Sequence, residues 1–551
     1  MSRLDAFFAS YYRLRPVNAT FTGIHEHDDR LPDWSPEGLA AAADEMRSIR
    51  ASLGDAPTDA AALREVARRD RALAIAFLDV QLAELDSPHF QRGNPSLALG
   101  EATFGVVSLI TRPFAPAVQR ARSLASRLEA WPRFLTGARQ SITGGVLDEW
   151  RAKCLNECEG AERLLRDGVP KWIAIESVEP ATASPLLRAS DAARAALDDF
   201  RRWLERDVRP ASPDRCAVGL DVFQLLLTRG HWCSSSIASL AHDAQHALDE
   251  ALAVLDARAR SAAPGGWPKI QARLTAAHPT AAGYLGAYAR IWGDCRDASI
   301  RSDLVTWPAY PIRYVPIPPQ TRDAAPFLYY LFYRSPAPFD HAPMHDYVVT
   351  PIDDDMPPEE QARRLRATNT SVIKLNHVVH HGAIGHHVQN YYAYAGASEI
   401  GRVAAVDCAS RIGMFLGGTM AEGWACYATD LMDEIGFLDA DESIAQQHTR
   451  ARLLARAVVD LGLHTGSMTF EDAVAVYRDR VGMPPDAARG EACKNSMFPA
   501  TAIMYWLGTD GLHRLRRVRE RADGAAFSLR RFHDRALSFG SIPVPMLEHI
   551  W

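Results

Sequence analysis

The chain has no run of about twenty apolar residues, the length needed to cross a bilayer as a helix, so no membrane-spanning segment is expected. It has no excess of positive charge either. The formal net charge is −6, which excludes nucleic acid and anionic lipid surfaces as obvious partners. The densest basic stretch, 512–521, also carries Glu520 and reads as the solvated face of a helix. The eight cysteines form no CxxC pair, and apart from Cys154 and Cys158 they lie far apart. A disulfide framework is not indicated, and a reducing compartment is. The N-terminal stretch is interrupted by Arg3 and Asp5 and lacks a long apolar core, so it does not read as a secretion signal. These absences together predict a cytoplasmic protein. Internal repeats and low-complexity linkers are absent as well.

What is present is helical periodicity. Apolar residues recur at three- and four-residue spacing through 38–53, 60–85, 114–143, 158–164, 191–207 and 236–262. Ser35-Pro36-Glu37 is a helix start, with Ser as N-cap and Pro at the first position. The segment 305–351 differs. It is rich in Pro, Tyr and Phe, and helices cannot run through its prolines. It predicts extended pieces at 327–333 and 346–350, in a small sheet or loops. Helical pattern resumes at Pro358 and continues to about 540. The expected architecture is mostly all-α: one large domain over 1–551, with a soft internal boundary near 300 and the chemistry in 300–551.

Five of the 19 histidines fall within 377–387: His377, His380, His381, His386 and His387. Imidazole is the commonest protein metal ligand. His377 and His381 share a face of an ordinary helix. His380 and His386 are six residues apart and point about 120° away from each other on an ideal helix. They converge only if the helix bulges or breaks between them, which Gly382 and Gly385 permit. His380 and His387 share a face but stand about 10 Å apart along the axis. Further on, Glu422 in Ala421-Glu422-Gly423-Trp424 offers a carboxylate. Two histidines and one glutamate form a ligand set typical of catalytic zinc.

These residues resemble a bacterial family of metallopeptidase-like proteins known as a domain of unknown function (number 885), similar in fold to the thermostable carboxypeptidases of the Taq type. The family pattern His-Glu-x-x-Pro-Gly-His-His-x-Gln stands here as His380-His381-Gly382-Ala383-Ile384-Gly385-His386-His387-Val388-Gln389. The pattern Glu-Gly-Trp-Ala-x-Tyr stands as Glu422-Gly423-Trp424-Ala425-Cys426-Tyr427. Further likeness at Arg112-Pro113-Phe114, at 456–464 and at 532–543 extends it over most of the chain. The resemblance implies a zincin-like helical fold with a deep channel. It also implies His380, His386 and Glu422 as ligands of Zn²⁺ or another divalent ion. Three departures stand out. His381 replaces the expected Glu, Ile384 replaces the Pro, and Lys494-Asn495 with Pro499-Ala500-Thr501 replaces an Arg-Tyr pair and a Pro-Gly-Gln, while Tyr505 keeps its place.

His381 therefore has three candidate roles: general base, additional ligand, or bystander in a site with altered chemistry. Tyr505 could donate to a developing oxyanion. His464 and Asp460, four residues apart, could orient a ligand, and Arg456 could bridge Asp460. Lys494 could bind a substrate carboxylate. The function expected is a metal-dependent hydrolase acting on an amide-type bond in a small or short peptide-like substrate. A lyase or cyclase, or a silent metal-binding protein, are the alternatives.

Overall fold

The sequence periodicity becomes helix throughout the computed structural model, which describes residues 3–57, 59–328, 335–406 and 410–551. Ser35 caps its helix as expected: its hydroxyl accepts from Gly38 N at 3.0 Å, and Pro36 opens Pro36–Leu53. The helices that frame the site are α1 (Val66–Asp86), α2 (Pro95–Ile110), α3 (Ala117–Ser141), α4 (Pro180–Arg206), α5 (Ile237–Ala262) and α6 (Tyr284–Arg301). A ten-residue π-helix, Ile373–Gly382, follows. After it come α7 (His386–Ala395), α8 (Gly418–Glu434), α9 (Ala440–Thr465), α10 (Pro485–Met497) and α11 (Met504–Asp523).

Among the described residues the sheet is two-stranded and parallel: β1 (Ile312–Pro316) pairs with β2 (His345–Val349), Ile312 opposite His345. This is the extended pairing expected near 346–350. The piece expected at 327–333 lies mostly outside the described residues, and a short helix, Pro319–Arg322, stands where extended chain was expected. The fold is thus mostly all-α.

Helix α2 runs where the periodicity shows none. Nearly every residue of α2 is buried, so its apolar residues surround the axis and give no amphipathic stripe. α4 takes up the periodic stretch at 191–207 but starts earlier, at Pro180, where a missing N–H costs nothing, and carries Pro185 inside.

The apolar core does not divide at position 300. One cluster joins Phe7, Leu73 and Phe77 to Ile400, Leu416 and Ile550. Another joins Trp150 and Leu248 to Leu454, Tyr477 and Met497. A third, around Trp424, Tyr427, Ile384 and Val388, packs directly beneath the histidine run.

Candidate metal centre

The π-helix closes its turns with i→i+5 hydrogen bonds, and its last turn ends in a break. Ala383 N donates to Val378 O at 2.8 Å and Gly385 N to Val379 O at 2.9 Å. α7 then begins afresh at His386. Glycine is required at the break by close approach. A Cβ on Gly385 would stand 1.8 Å from His380 O, and one on Gly382 would stand 2.1 Å from Tyr314 Oη. Carbonyls left over at the break are met by indoles. Trp292 Nε1 donates to Gly382 O, and Trp424 Nε1 donates to Ile384 O, both at 2.8 Å.

The break brings together residues that a straight helix would separate. One ring nitrogen from each of His380, His381 and His386 lies within 4.8 Å of the other two. Glu422, on α8, places its Oε2 3.4 Å from His380 Nε2 and 3.5 Å from His386 Nε2. Its position follows from a close helix crossing. A Cβ on Gly423 would fall 2.5 Å from Gly508 Cα, and one on Gly508 would fall 1.9 Å from Thr419 O. α8 and α11 therefore touch backbone to backbone beside Glu422.

The spacings are informative. A charge-assisted N–H···O bond is about 2.7–2.9 Å long. Two ligands held about 2.0–2.2 Å from a tetrahedral zinc are separated by about 3.4 Å. The carboxylate thus stands off both imidazoles at the edge length of a coordination tetrahedron. The donor set, two imidazole nitrogens and a carboxylate oxygen with a third imidazole close by, fits a zinc-type cation.

His381 is held in one orientation: its Nδ1 donates to Asn376 O at 2.7 Å. This carbonyl contact spans five residues, and no α-helical spacing rule points to it. Burial, and then the charges of His380, His386 and His377, hold the His381 ring well below its ordinary range. Burial would push the Glu422 carboxyl up, but His386 and His380 outweigh it and hold it well below the usual range.

The other two histidines of the run have partners elsewhere. His377 Nδ1 accepts from Tyr347 Oη at 2.8 Å, and burial lowers its ring to about 4. His387 Nε2 donates to Tyr310 O at 2.8 Å, and its ring stacks on Tyr310. Neither joins the cluster, which is formed by His380, His381 and His386.

Tyr505 lies in the first turn of α11, one turn before Gly508, with the Arg456 guanidinium over its ring at 5.2 Å. Arg456 does not bridge Asp460. It forms a two-pronged pair with Glu491 of α10, both contacts 2.7 Å, because Asp460 is occupied by the backbone N–H groups of Ala500 and Ile503 at 3.0 and 2.9 Å. His464 is fully buried, its Nε2 donates to Asn495 O at 2.9 Å, and its ring lies against His89 and Phe223. These contacts tie it to the 495–503 turn. The i,i+4 spacing was right about proximity to Asp460 (3.6 Å) and silent about location.

A cavity of about 950 Å³ lies between the N-terminal helices and α9–α10. Glu491, Lys494 and Arg452 form one wall, and Arg456 links Glu491 to Tyr505. None of His380, His381, His386 or Glu422 lines it. Lys494 therefore faces this cavity, and no local spacing marks Glu491, the carboxylate that pairs with Arg456 on the same wall.

The profile of the family described as "Bacterial protein of unknown function (DUF885)" matches residues 16–550. The chain belongs to this family. No curated protein matches it. Two solved structures share the family member's fold. One, described as a "putative lipoprotein of unknown function" from Shewanella oneidensis, is 20% identical with a TM-score of 0.76, over 99% of this chain and 98% of that one. The other, a "putative lipoprotein" from Colwellia psychrerythraea, is 17% identical with a TM-score of 0.77, over 99% and 97%. At these identities the likeness shows the fold alone.

Proposed function

We propose that this chain is a metal-dependent hydrolase of metallopeptidase ancestry, cleaving an amide-type bond in a small or short peptide-like substrate. The observation that carries the reading is the spacing of Glu422 Oε2 from His380 and His386, 3.4 and 3.5 Å, longer than a charge-assisted hydrogen bond and right for co-ligands. His380, His386 and Glu422 would hold the cation, with zinc the best match to the donor set. Such an ion, when bound, would supply Lewis-acid polarisation of a carbonyl and a more acidic water. His381 replaces the customary glutamate as proton acceptor. Its Nδ1–H is committed to Asn376 O, so the Nε2 lone pair is left to take the proton. Tyr505, backed by Arg456, is the donor to the developing oxyanion. The seven described cysteines are buried free thiols, which supports a reducing compartment.

A second reading has a specific observation behind it. The His381 nitrogen lies within 4.8 Å of those of His380 and His386, so His381 could be a fourth ligand that closes the site. One variant separates the two. As a base, His381→Ala keeps stoichiometric metal by plasma mass spectrometry and loses turnover on a panel of fluorogenic amides by about 10²–10⁴. As a ligand, the same variant loses metal. Wild-type protein that retains no divalent ion after gentle purification, or retains it and cleaves no amide, overturns the hydrolase reading.

A further inference from the structure

The 950 Å³ cavity is within the size range of small-molecule sites, and most of the charge on its walls is already satisfied. Five of its carboxylates have basic partners: Asp33 holds Arg133, Glu45 holds Arg13, Glu84 holds Arg411, Glu157 holds Lys153 and Glu491 holds Arg456. Glu101 is different. It projects from α2, between turns carrying Leu97 and Phe104, and lines the cavity. Among the described residues it has no hydrogen bond and no ion pair. Two cations feel its charge but direct their donors elsewhere. Arg15 donates to Gln81. Arg127 donates to Gly105 O and Ser108 Oγ, each at 2.8 Å.

A carboxylate facing an apolar cavity without a partner is costly. The cost shows in its acidity: burial, only partly offset by Arg127 and Arg15, raises the Glu101 carboxyl to about 7. Lys494 and Arg452 lie on the wall that Glu491 belongs to, while the apolar part of the lining includes Leu97, Leu99, Phe90, Phe104, Met414 and Phe498. A ligand matching them carries an apolar or aromatic body and one positive group.

We propose that this cavity is a binding site for small organic cations, in which Glu101 receives the ammonium or guanidinium group and the α2 face with Phe90, Met414 and Phe498 receives the apolar body. The proposal does not rest on the metal centre, since no cluster residue lines the cavity.

The test is isothermal titration of the purified full-length chain with 4-phenylbutylamine and with its neutral isostere 4-phenylbutanol, repeated on Glu101→Gln. The amine is expected to bind at least about tenfold tighter than the alcohol, the gain typical of a buried charge-assisted bond. That preference is expected to vanish in Glu101→Gln while the alcohol affinity stays. Equal binding of amine and alcohol to the wild type overturns the proposal, and so does an amine preference that survives in the variant. If Glu101→Gln does not fold, the amine-to-alcohol ratio on the wild type, with 4-phenylbutyrate as the negative control expected to bind weakest, decides alone.

Discussion

Replacing Gly385 by alanine should dismantle the proposed metal centre without touching His380, His386 or Glu422 directly. The new Cβ would be 1.8 Å from His380 O, 2.6 Å from His380 C and 2.7 Å from Val379 O. All three are backbone atoms, so no side-chain rotation relieves the clash. The His380 carbonyl must retreat by about 1.6 Å to reach ordinary contact at 3.4 Å. The imidazole of His380 moves with its own backbone. A shift of that size is about three-quarters of a zinc–nitrogen bond, so His380 and Glu422 can no longer occupy one tetrahedron. Stability should fall by about 1–3 kcal/mol, the usual range for overpacking. Metal affinity should fall much further, by about 10²-fold or more for a displaced ligand. Thermal melts followed by circular dichroism read the first quantity, and competition against a chromogenic chelator reads the second. Gly382→Ala is the internal control. Its clash is with the Tyr314 hydroxyl at 2.1 Å, so adding Tyr314→Phe should restore part of what Gly382→Ala loses. A Gly385→Ala protein with unchanged chelator competition would refute the reasoning that the break sets the ligand geometry.

Two further outcomes follow from the same contacts. His25 lies between Asp28 and Asp340 at 2.9 and 2.8 Å. Burial lowers its ring, but the two carboxylates outweigh this and raise it to about 9. Because the folded value is above the unfolded 6.5, the stabilisation is complete below pH 6.5 and disappears as pH rises toward 9. Asp340→Asn should flatten this part of the melting-temperature profile and lower stability by about 1–3 kcal/mol at pH 6; parallel pH profiles for the two proteins would contradict it. His464→Ala should lower stability by about 2–5 kcal/mol by opening a buried cavity while leaving bound metal, measured by plasma mass spectrometry, at the wild-type level. Loss of metal would return His464 to the site.

The sequence was most legible where local spacing carries the physics. The six-residue interval between His380 and His386 allows the two to converge only across a bulge or break, which the glycines inside it permit, and the break is there. The amphipathic helices and the Ser35 cap were equally local. Legibility ended where partners come from distant helices. Spacing assigned Arg456 to Asp460, yet a glutamate on α10 faces Arg456 with better two-pronged geometry while backbone amides claim Asp460. His464 was read as a ligand support because helix periodicity fixes a face and not the layer that face meets. The π-helix was invisible for a related reason: its i→i+5 pattern leaves no signature in residue type, and the role of Asn376 O in orienting His381 depends on it. α2 escaped because burial on all sides erases periodicity, and with it went Glu101.

The contact between Gly423 and Gly508 has a consequence for how this centre can change. No side chain separates the two helices there, so the depth of Glu422 is fixed by main chain alone. Substitutions elsewhere in the surroundings can alter what enters the pocket or how a proton is handled, but they have little purchase on where the carboxylate stands. The side chain at position 381 is therefore free to change over an anchored scaffold, and redesign of this cluster has most room to succeed there.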